Sequence, residues 1–238
     1  MSTHLISIIL ATFNERELIQ TTITELLKAS PEEMEIIVVD DDSPDRTWSA
    51  VTELNLPNIK VIRRVGTRGL ASAFNRGIIE SRGDIVGWMD ADMCMPPSMI
   101  PKMYRMLVDE GYDLVIGSRY TPGGIDDRSP IRRLSSRLIN GFAGLVLGYG
   151  IRDYDSGFVL LKRKVFDSVS LIPRGYGEYF IEFVYNACRK GLRVGETGYY
   201  FRDRSVGVSK SMPSLFAFLR TGMKYVIRIL GARFRGLD

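Results

Sequence analysis

Short apolar segments with strand character alternate with amphipathic segments of helical character through the first 120 residues of this 238-residue chain. The strand-like segments are residues 5–11, 35–39, 60–63, 85–89 and 114–118, and the helical segments between them are 17–29, 46–54, 70–81 and 97–110. This alternation with short connections predicts an α/β domain with a mainly parallel sheet flanked by helices. In such sheets, ligands bind beyond the carboxyl ends of the strands.

Asp90-Ala91-Asp92 stands at one of these predicted carboxyl ends. Because residues i and i+2 of an extended segment project to the same side, the two carboxylates can share one cation. A hard ion such as Mg²⁺ or Mn²⁺ suits carboxylates together with diphosphate oxygens. The competing interpretation is an acidic turn that caps the helix beginning at residue 97, since a bare Asp-x-Asp pattern often arises by chance.

A second acidic turn, residues 39–45, also follows a predicted strand. One of its carboxylates could accept hydrogen bonds from the ring N–H of a nucleobase. The alternative is structural, because Ser43 or Asp45 could cap the helix that follows.

The composition excludes several other kinds of site. His4 is the single histidine, and Cys94 and Cys188 are the two cysteines, which excludes a histidine-clustered metal site, a disulfide framework and a four-cysteine zinc site. The chain has neither a Gly-x-Gly-x-x-Gly pattern nor a P-loop lysine motif. A dinucleotide oxidoreductase and a P-loop NTPase are therefore disfavoured.

Seven short motifs follow one another along most of the chain. They are Ala11-Thr12-Phe13-Asn14-Glu15, the acidic turn 39–45, Gly69-Leu70-Ala71-Ser72-Ala73, Asp90-Ala91-Asp92 with Pro96-Pro97, Gly117-Ser118-Arg119-Tyr120, Asp153-x-x-Ser156-Gly157-Phe158 and Asp203-Arg204-x-x-Gly207-x-Ser209-Lys210. Their order and spacing over residues 6–210 resemble glycosyltransferase family 2 of the GT-A fold. More narrowly, they resemble the polyprenyl-phosphate (dolichyl-phosphate) mannosyltransferases.

The resemblance implies a GT-A catalytic domain over residues 1–212. This domain would transfer a hexosyl group, for which mannose is the first choice, from GDP-mannose to a polyprenyl or dolichyl phosphate, with inversion at the anomeric carbon. It implies a Mg²⁺ or Mn²⁺ ion on Asp90 and Asp92. By motif position, the residues that would contact the nucleotide sugar are Ala11, Phe13, Glu15, Val39, Asp40, Asp41, Ala71, Asp90, Ala91 and Asp92. The implied catalytic residues are Asp92, Arg119, Arg204 and Lys210, and the implied acceptor-phosphate ligands are Arg119, Arg132, Ser136, Arg204 and Lys210.

Two positions depart from the family's pattern. Cys94 stands where the family often has a glutamine that helps to coordinate the metal, and a thiol is a poor ligand for Mg²⁺. Either fewer protein ligands hold the metal or the site prefers a softer ion, unless Cys94 is simply a small buried hydrophobe. Ala11 replaces the usual proline, which should loosen the turn that binds the base.

A phosphate acceptor fits the basic residues of the chain. A phosphate monoester has a second pKa of about 6, so at neutral pH it is largely a dianion that needs no strong general base. It does need cations that hold it in line with the anomeric carbon. Segment 128–137 contains four arginines and no acidic residue, which favours anion binding, whereas the competing interpretation is a solvated helix face.

The end of the chain is strongly basic, since residues 202–238 carry eight lysines and arginines against two aspartates. Residues 213–238 predict a basic amphipathic helix suited to a membrane surface, with Phe216, Leu219, Met223, Ile227 and Leu230 at helical spacing beside Arg220, Lys224 and Arg228. Residues 129–151 predict further interfacial helices. We therefore expect peripheral attachment at the cytoplasmic face of a membrane. The alternatives are that these helices close the core or dock on a membrane-spanning partner subunit.

Three other functions stay open at the level of sequence. A UDP-glucose-dependent polyprenyl-phosphate glucosyltransferase would use a different nucleotide sugar in a similar site. A noncatalytic nucleotide-sugar-binding subunit is disfavoured by the intact Asp90, Asp92 and Arg119. Nucleic-acid binding is disfavoured because the basic residues of the last helix interleave with an apolar stripe, which suits a bilayer better than a duplex.

Overall fold

A seven-stranded sheet forms the centre of the computed structural model, which describes residues 4–202 and 215–235, without the side chains of 215–221. The strands are β1 (Ile6–Thr12), β2 (Met34–Asp40), β3 (Ile59–Arg63), β4 (Ile85–Asp90), β5 (Leu114–Ser118), β6 (Ile125–Asp126), β7 (Val159–Lys162), β8 (Val194–Gly198) and β9 (Tyr200–Phe201). The helices are α1 (Ile19–Ala29), α2 (Thr47–Thr52), α3 (Leu70–Glu80), α4 (Ile100–Val108), α5 (Pro130–Leu147), α6 (Glu178–Arg189) and α7 (Leu215–Phe234). Two short 3₁₀ turns cover Pro97–Met99 and Arg163–Asp167.

The large sheet has the strand order β3-β2-β1-β4-β7-β5-β8. Its neighbouring strands pair in parallel except at β7, which is antiparallel to both β4 and β5. Strands β6 and β9 form a separate two-stranded parallel pair. The predicted α/β class with a mainly parallel sheet flanked by helices is confirmed.

Helices cover both faces of the sheet, because side chains of a buried strand alternate between its two sides. In β1, Ile9 packs with α3, α5, α6 and α7 on one face, whereas Ile8 and Leu10 pack with α1, α2 and α4 on the other. Both core clusters consist of side chains that are almost fully buried. The apolar helix faces predicted from the sequence therefore pack against the two sides of the sheet, which gives three layers.

The register of the three central strands brings predicted site residues side by side. Ala11 of β1 pairs with Val39 of β2 on one side and with Asp90 of β4 on the other. The loops that leave these strands therefore start from one row at the carboxyl edge of the sheet. Strand β5 runs in the same direction as β4, since both are antiparallel to β7, so Ser118 ends at the same edge.

Helix α7 packs against α5 and α6, and its Ile229 and Ala232 are buried in the larger core cluster. None of the helices within the described ranges is long and apolar enough to span a bilayer. The predicted segment 129–151 forms one helix, α5, followed by a turn, and the predicted C-terminal helix corresponds to α7.

Candidate functional site

The loops after β1, β2 and β4 share an unusual backbone feature. Each contains a non-glycine residue in the left-handed region, namely Asn14 (φ 55°), Asp42 (φ 55°) and Met93 (φ 62°). This conformation is uncommon outside glycine and persists where surrounding contacts impose it, often at functional sites. The carboxyl edge predicted to bind ligand is thus also the place where the loops of three adjacent strands each contain a residue in this conformation.

Asp40 organises the loop after β2. Its carboxylate accepts hydrogen bonds from the Thr12 hydroxyl at 2.7 Å, from the Ser43 N–H at 2.8 Å and from the Ser43 hydroxyl at 2.6 Å. The side chain is fully buried. In this structure Asp40 therefore shapes the turn between β1 and β2, and direct contact between Asp40 and a nucleotide stays a prediction.

Asp41 connects the same loop to the start of α3. Its Oδ1 accepts a hydrogen bond from Nε of Arg64 at 2.7 Å, and its Oδ2 accepts one from the N–H of Gly69 at 2.8 Å. Gly69 immediately precedes α3, and Ala71 is buried in the first turn of that helix. The predicted nucleotide residues Asp41 and Ala71 are thus joined through Gly69.

The loop after β1 lies against the loop after β2. The Asn14 N–H donates to the Ser43 hydroxyl at 3.0 Å, and the Glu15 N–H donates to the Thr47 hydroxyl at 2.9 Å. The exposed guanidinium of Arg68 lies over the ring of Phe13, 3.8 Å from its centroid.

Arg68 was not among the residues selected from the sequence. It places a cation over Phe13, one of the predicted nucleotide contacts, and belongs to the segment that leads into Gly69 and Ala71. Its position one residue before the Gly69 motif was the available signal.

Asp90 and Asp92 lie at the end of β4, and both are half-buried. Oδ1 of Asp92 accepts a hydrogen bond from the Cys94 N–H at 3.1 Å, and the Asp90 N–H faces the Met95 sulfur at 3.4 Å. Thr22 of α1 donates its hydroxyl proton to the Ala91 carbonyl at 2.9 Å. The turn that carries both carboxylates is therefore stabilised by hydrogen bonds inside the turn and by one from α1.

The two carboxylates fit a divalent cation that takes its remaining oxygen ligands from water and a diphosphate, which is the usual mode for Mg²⁺. Within residues 4–202 and 215–235, no group of three or more histidine, cysteine, aspartate or glutamate side chains could hold a metal. Asp90, Asp92 and Cys94 thus do not form such a group among the described residues, and metal ligation by Cys94 stays an untested prediction. Cys94 is nearly buried, and its backbone N–H supports Asp92.

Three aromatic polar atoms are buried near Asp90 and the 153–158 loop. Within the described part of the chain, Trp88 Nε1, Tyr179 Oη and Tyr199 Oη have no hydrogen-bond partner. Such unpaired groups are rare in protein interiors. Burial, together with the nearby Asp90 carboxylate, raises the pKa of Tyr179 well above its ordinary value, so the phenol stays neutral.

Arg119 is held in a buried ion pair at the carboxyl end of β5. Its Nε and Nη2 donate to the two carboxylate oxygens of Asp153 at 2.9 and 2.6 Å. Its Nη2 also donates to the carbonyl oxygen of Asp155 at 2.9 Å, and only 4% of the residue is exposed. Arg119 therefore organises the 153–158 loop, and its contact with an acceptor phosphate stays a prediction.

A cavity of about 520 Å³ opens beside Arg119. Its lining residues are Arg119, Tyr120, Gly124, Arg137, Asn140, Gly141, Gly144, Ile151 and Arg152. Arg137 and Arg152 are exposed, and neither guanidinium has a carboxylate partner among the described residues. The Asn140 Oδ1 is buried without a partner in the same part of the structure. The cavity is thus lined by two guanidinium groups that have no carboxylate partner in the described part of the chain.

The predicted acceptor residues on α5 lie near this cavity but do not line it. Ser136 is buried, with its carbonyl oxygen accepting a hydrogen bond from Asn140 at 3.0 Å, and Arg132 is half-buried. Arg137, one position after Ser136, is the α5 arginine that reaches the cavity. The predicted Arg204 and Lys210 lie outside the described residues.

Two apolar stripes are exposed on neighbouring helices. The stripe on α5 consists of Ile131, Leu134, Leu138 and Leu145, and the stripe on α7 consists of Met223, Ile227, Leu230 and Phe234. Lys224 is exposed beside the second stripe. Arg228, which the sequence placed on the same basic face, instead pairs with Glu182 of α6 at 2.7 Å. The prediction that Arg228 faces a membrane is therefore wrong.

A family model described as Glycosyl transferase family 2 matches residues 7–170. A dolichol-phosphate mannosyltransferase of Pyrococcus furiosus is 38% identical over 90% of this chain and 62% of its own length. A polyprenol monophosphomannose synthase of Mycolicibacterium smegmatis is 34% identical over 85% and 79%, respectively. An undecaprenyl-phosphate mannosyltransferase of Micrococcus luteus is 30% identical over 85% of each chain. The chain spans less than two thirds of the length of the first relative.

The fold is also similar to solved structures of glucosyl-3-phosphoglycerate synthase from Mycobacterium tuberculosis. The complex with Mn²⁺, UDP and phosphoglyceric acid has a TM-score of 0.75 and 18% identity over 98% of this chain and 80% of that chain. The complex with Mg²⁺ and UDP has a TM-score of 0.72 and 19% identity over 96% and 79%. At this identity the similarity shows the fold alone, which is that of the GT-A transferases.

Proposed function

Because the chain belongs to glycosyl transferase family 2, we propose that it transfers mannose from GDP-mannose to a polyprenyl phosphate, with inversion at the anomeric carbon. The observation that carries this proposal is that one edge of the sheet bears both the Asp90–Asp92 carboxylate pair and the arginine-lined cavity beside Arg119. Sugar transfer from a nucleotide to a phosphate needs a place for a metal-bound diphosphate and a place for an anionic acceptor. The three curated relatives, whose names join mannose to a dolichol, polyprenol or undecaprenyl carrier, support this choice.

The nucleotide would bind where the loops after β1 and β2 meet the start of α3. Phe13 with the overlying Arg68 offers an aromatic surface and a cation, and Asp41 is the less buried of the two predicted base-binding carboxylates. Asp40 would act by holding this turn. The register of Ala11, Val39 and Asp90, which are neighbours across β1, β2 and β4, supports a nucleotide site next to the predicted metal ligands.

Asp90 and Asp92 would hold Mg²⁺ or Mn²⁺, which neutralises the charge that develops on the leaving diphosphate. The half-buried position of both carboxylates and the absence of a third acidic or thiol ligand among the described residues favour an ion that retains water and diphosphate oxygens. Asp92 is kept in place by the Cys94 N–H. The predicted catalytic contribution of Asp92 is to position this charge.

The acceptor phosphate would enter the cavity beside Arg119. Arg137 and Arg152 have no carboxylate partner among the described residues, and guanidinium groups bind phosphate oxygens in bidentate fashion. A dianionic phosphate is already a competent nucleophile, so the protein's task is to orient it. The motif residues Arg132, Ser136, Arg204 and Lys210 complete the proposal as predicted acceptor ligands.

We place the reaction at the cytoplasmic face of a membrane, with the protein attached peripherally. The apolar stripes of α5 and α7 are exposed on helices whose opposite faces close the core. Exposed Lys224 and Arg137 lie on these same two helices, which suits an anionic headgroup layer. A membrane-spanning partner subunit would compete for the same stripes.

The test combines purified protein, Mg²⁺ or Mn²⁺, a short-chain polyprenyl phosphate and either GDP-mannose or UDP-glucose. Release of nucleoside diphosphate and formation of the glycolipid are measured together, and omission of the acceptor controls for hydrolysis. We expect acceptor-dependent turnover with GDP-mannose. Turnover with UDP-glucose alone would replace the proposed donor, and no glycolipid from either donor would overturn the proposed function.

A further inference from the structure

Helix α7 makes a specific polar contact with the loop that follows α5. Tyr225 lies on its inner face, and its Oη donates a hydrogen bond to Asp155 Oδ1 at 2.9 Å. Gly177, before α6, allows this approach, because a Cβ atom at residue 177 would lie 2.0 Å from the Tyr225 Oη. A side chain at 177 would therefore displace Tyr225.

The Asp155 contact continues to Arg119. The carbonyl oxygen of Asp155 accepts a hydrogen bond from Arg119 Nη2 at 2.9 Å, and the carboxylate Oδ2 lies 3.8 Å from the same nitrogen. Asp153, two residues earlier, accepts hydrogen bonds from Nε and Nη2 of the same guanidinium. One chain of contacts thus runs from α7 through the 153–158 loop to an arginine that lines the cavity.

Glu182 of α6 fixes α7 in the position that allows this contact. Arg228 and Arg235 donate to its two carboxylate oxygens at 2.7 and 2.6 Å, respectively. Glu182 is almost fully buried, so movement of α7 away from α6 would leave a buried charge without its partners. The inner face of α7 therefore has one well-defined docked position.

The outer face of α7 carries the exposed apolar stripe that includes Met223 and Ile227. Attachment of this face to a lipid surface would restrain the helix whose inner face holds Asp155. The same element would then contact lipid on one side and the acceptor side of the site on the other.

We propose that Tyr225 is a positioning residue through which membrane attachment of α7 orders the 153–158 loop and Arg119. The expected change in acceptor KM rests on the proposed function, whereas the ordering of the 153–158 loop does not. Lipid binding would favour the position of α7 packed against α6, in which Tyr225 donates its hydrogen bond to Asp155. Asp155 would in turn keep the Arg119 guanidinium beside the cavity. Tyr225 touches neither substrate in this account.

The first experiment needs no turnover. Hydrogen exchange of the amides of residues 153–158 is measured with and without anionic phosphatidylglycerol vesicles, for the wild type, Tyr225→Phe and Tyr200→Phe. Tyr200 is a matched control, because it also donates to an aspartate, Asp127 at 2.6 Å, but on the exposed surface. We expect vesicles to slow exchange of this loop about tenfold in the wild type and the control, and to have no effect on the loop in Tyr225→Phe.

Vesicle sedimentation must show that Tyr225→Phe still binds lipid. Asp155→Ala removes the same hydrogen bond from the loop side and should likewise abolish the vesicle-dependent slowing of exchange. Wild-type-like slowing of exchange in Tyr225→Phe would overturn the proposal, as would a wild-type loop that does not respond to bound vesicles. These outcomes are decided even if the protein transfers no sugar.

The second experiment separates positioning from general damage. With a short-chain soluble polyprenyl phosphate, empty anionic vesicles should lower the acceptor KM of the wild type several-fold and leave that of Tyr225→Phe unchanged, with the donor KM of both proteins within about twofold. Equal changes in donor and acceptor KM would indicate a merely structural role and overturn the proposal. Absence of transfer by the wild type would instead refute the proposed function, while the exchange experiment would still decide the role of Tyr225.

Discussion

Asp153 accepts three hydrogen bonds from Arg119, one from the backbone N–H at 2.8 Å and two from the guanidinium. The carboxylate is fully buried, and the arginine is nearly so. The two residues stand 34 positions apart in the sequence, at the end of β5 and in the loop before β7. This pair joins the end of the sheet to the loop that α7 contacts.

Asp153→Ala should strongly destabilise the protein, because it leaves the buried guanidinium without its main partner. Breaking a buried pair in this way costs about 3–5 kcal/mol of unfolding free energy. Urea denaturation followed by circular dichroism measures the change. Glu25→Ala is the matched control, since its pair with Lys28 on α1 is largely exposed and should contribute less than about 1 kcal/mol. Equal losses in the two variants would contradict the structural role given to Asp153.

Asp92→Ala should abolish metal-dependent transfer while leaving the fold intact, because the half-buried carboxylate is proposed to position the cation. Isothermal titration with GDP and Mn²⁺ should show loss of the metal-dependent component of nucleotide binding. Asp84→Asn is the control, since Asp84 is exposed at the opposite end of the same strand. Unchanged metal-dependent binding by Asp92→Ala would refute the metal assignment.

Cys94→Ala should retain the metal dependence of the wild type. The backbone N–H that supports Asp92 survives the substitution, and the thiol belongs to no metal-binding group among the described residues. Titration of turnover with Mg²⁺ and Mn²⁺ checks this expectation. A selective loss of Mn²⁺ activation would show instead that the thiol contributes to the choice of metal.

Local patterns were sufficient to predict the central part of this site. Strand and helix alternation predicted the sheet, and the Asp-x-Asp spacing at the end of an apolar segment predicted where Asp90 and Asp92 lie. Both features are encoded within a few neighbouring residues, which periodicity and strand geometry describe well. The motif order then predicted the family, which the comparisons confirm.

Contacts between distant segments could not be predicted in this way. Helical spacing grouped Arg228 with Lys224, but only the packing of α7 on α6 shows that Arg228 meets Glu182. In the same way, Arg132, Ser136 and Arg137 belong to one helix, and the cavity selects Arg137 because of where α5 lies. A single sequence specifies a helix face more readily than the neighbour that covers it.

Arg137→Ala should impair acceptor use more than donor binding, because Arg137 lines the cavity and has no carboxylate partner among the described residues. Loss of one charge-assisted contact of about 1.5–3 kcal/mol corresponds to a roughly ten- to hundredfold lower acceptor kcat/KM. Titration of GDP-mannose without acceptor should give a nearly unchanged Kd. Arg132→Ala is the comparison: if it alone lowers acceptor use, the phosphate meets the other side of α5 and the cavity is not the acceptor site.

Lys224→Ser and Arg228→Ser should have different effects, although the two residues are one helical turn apart. Lys224 is exposed beside the apolar stripe, and one charge near an anionic leaflet contributes about 1 kcal/mol, so its loss should weaken vesicle binding roughly fivefold. Added salt should weaken wild-type binding in the same direction.

Arg228 is paired with buried Glu182, so its loss should mainly lower the unfolding free energy. Sedimentation with phosphatidylglycerol vesicles and thermal denaturation measure the two effects. If Arg228→Ser reduced vesicle binding as much as Lys224→Ser at unchanged stability, Arg228 would face the membrane and the docked position of α7 would be incorrect.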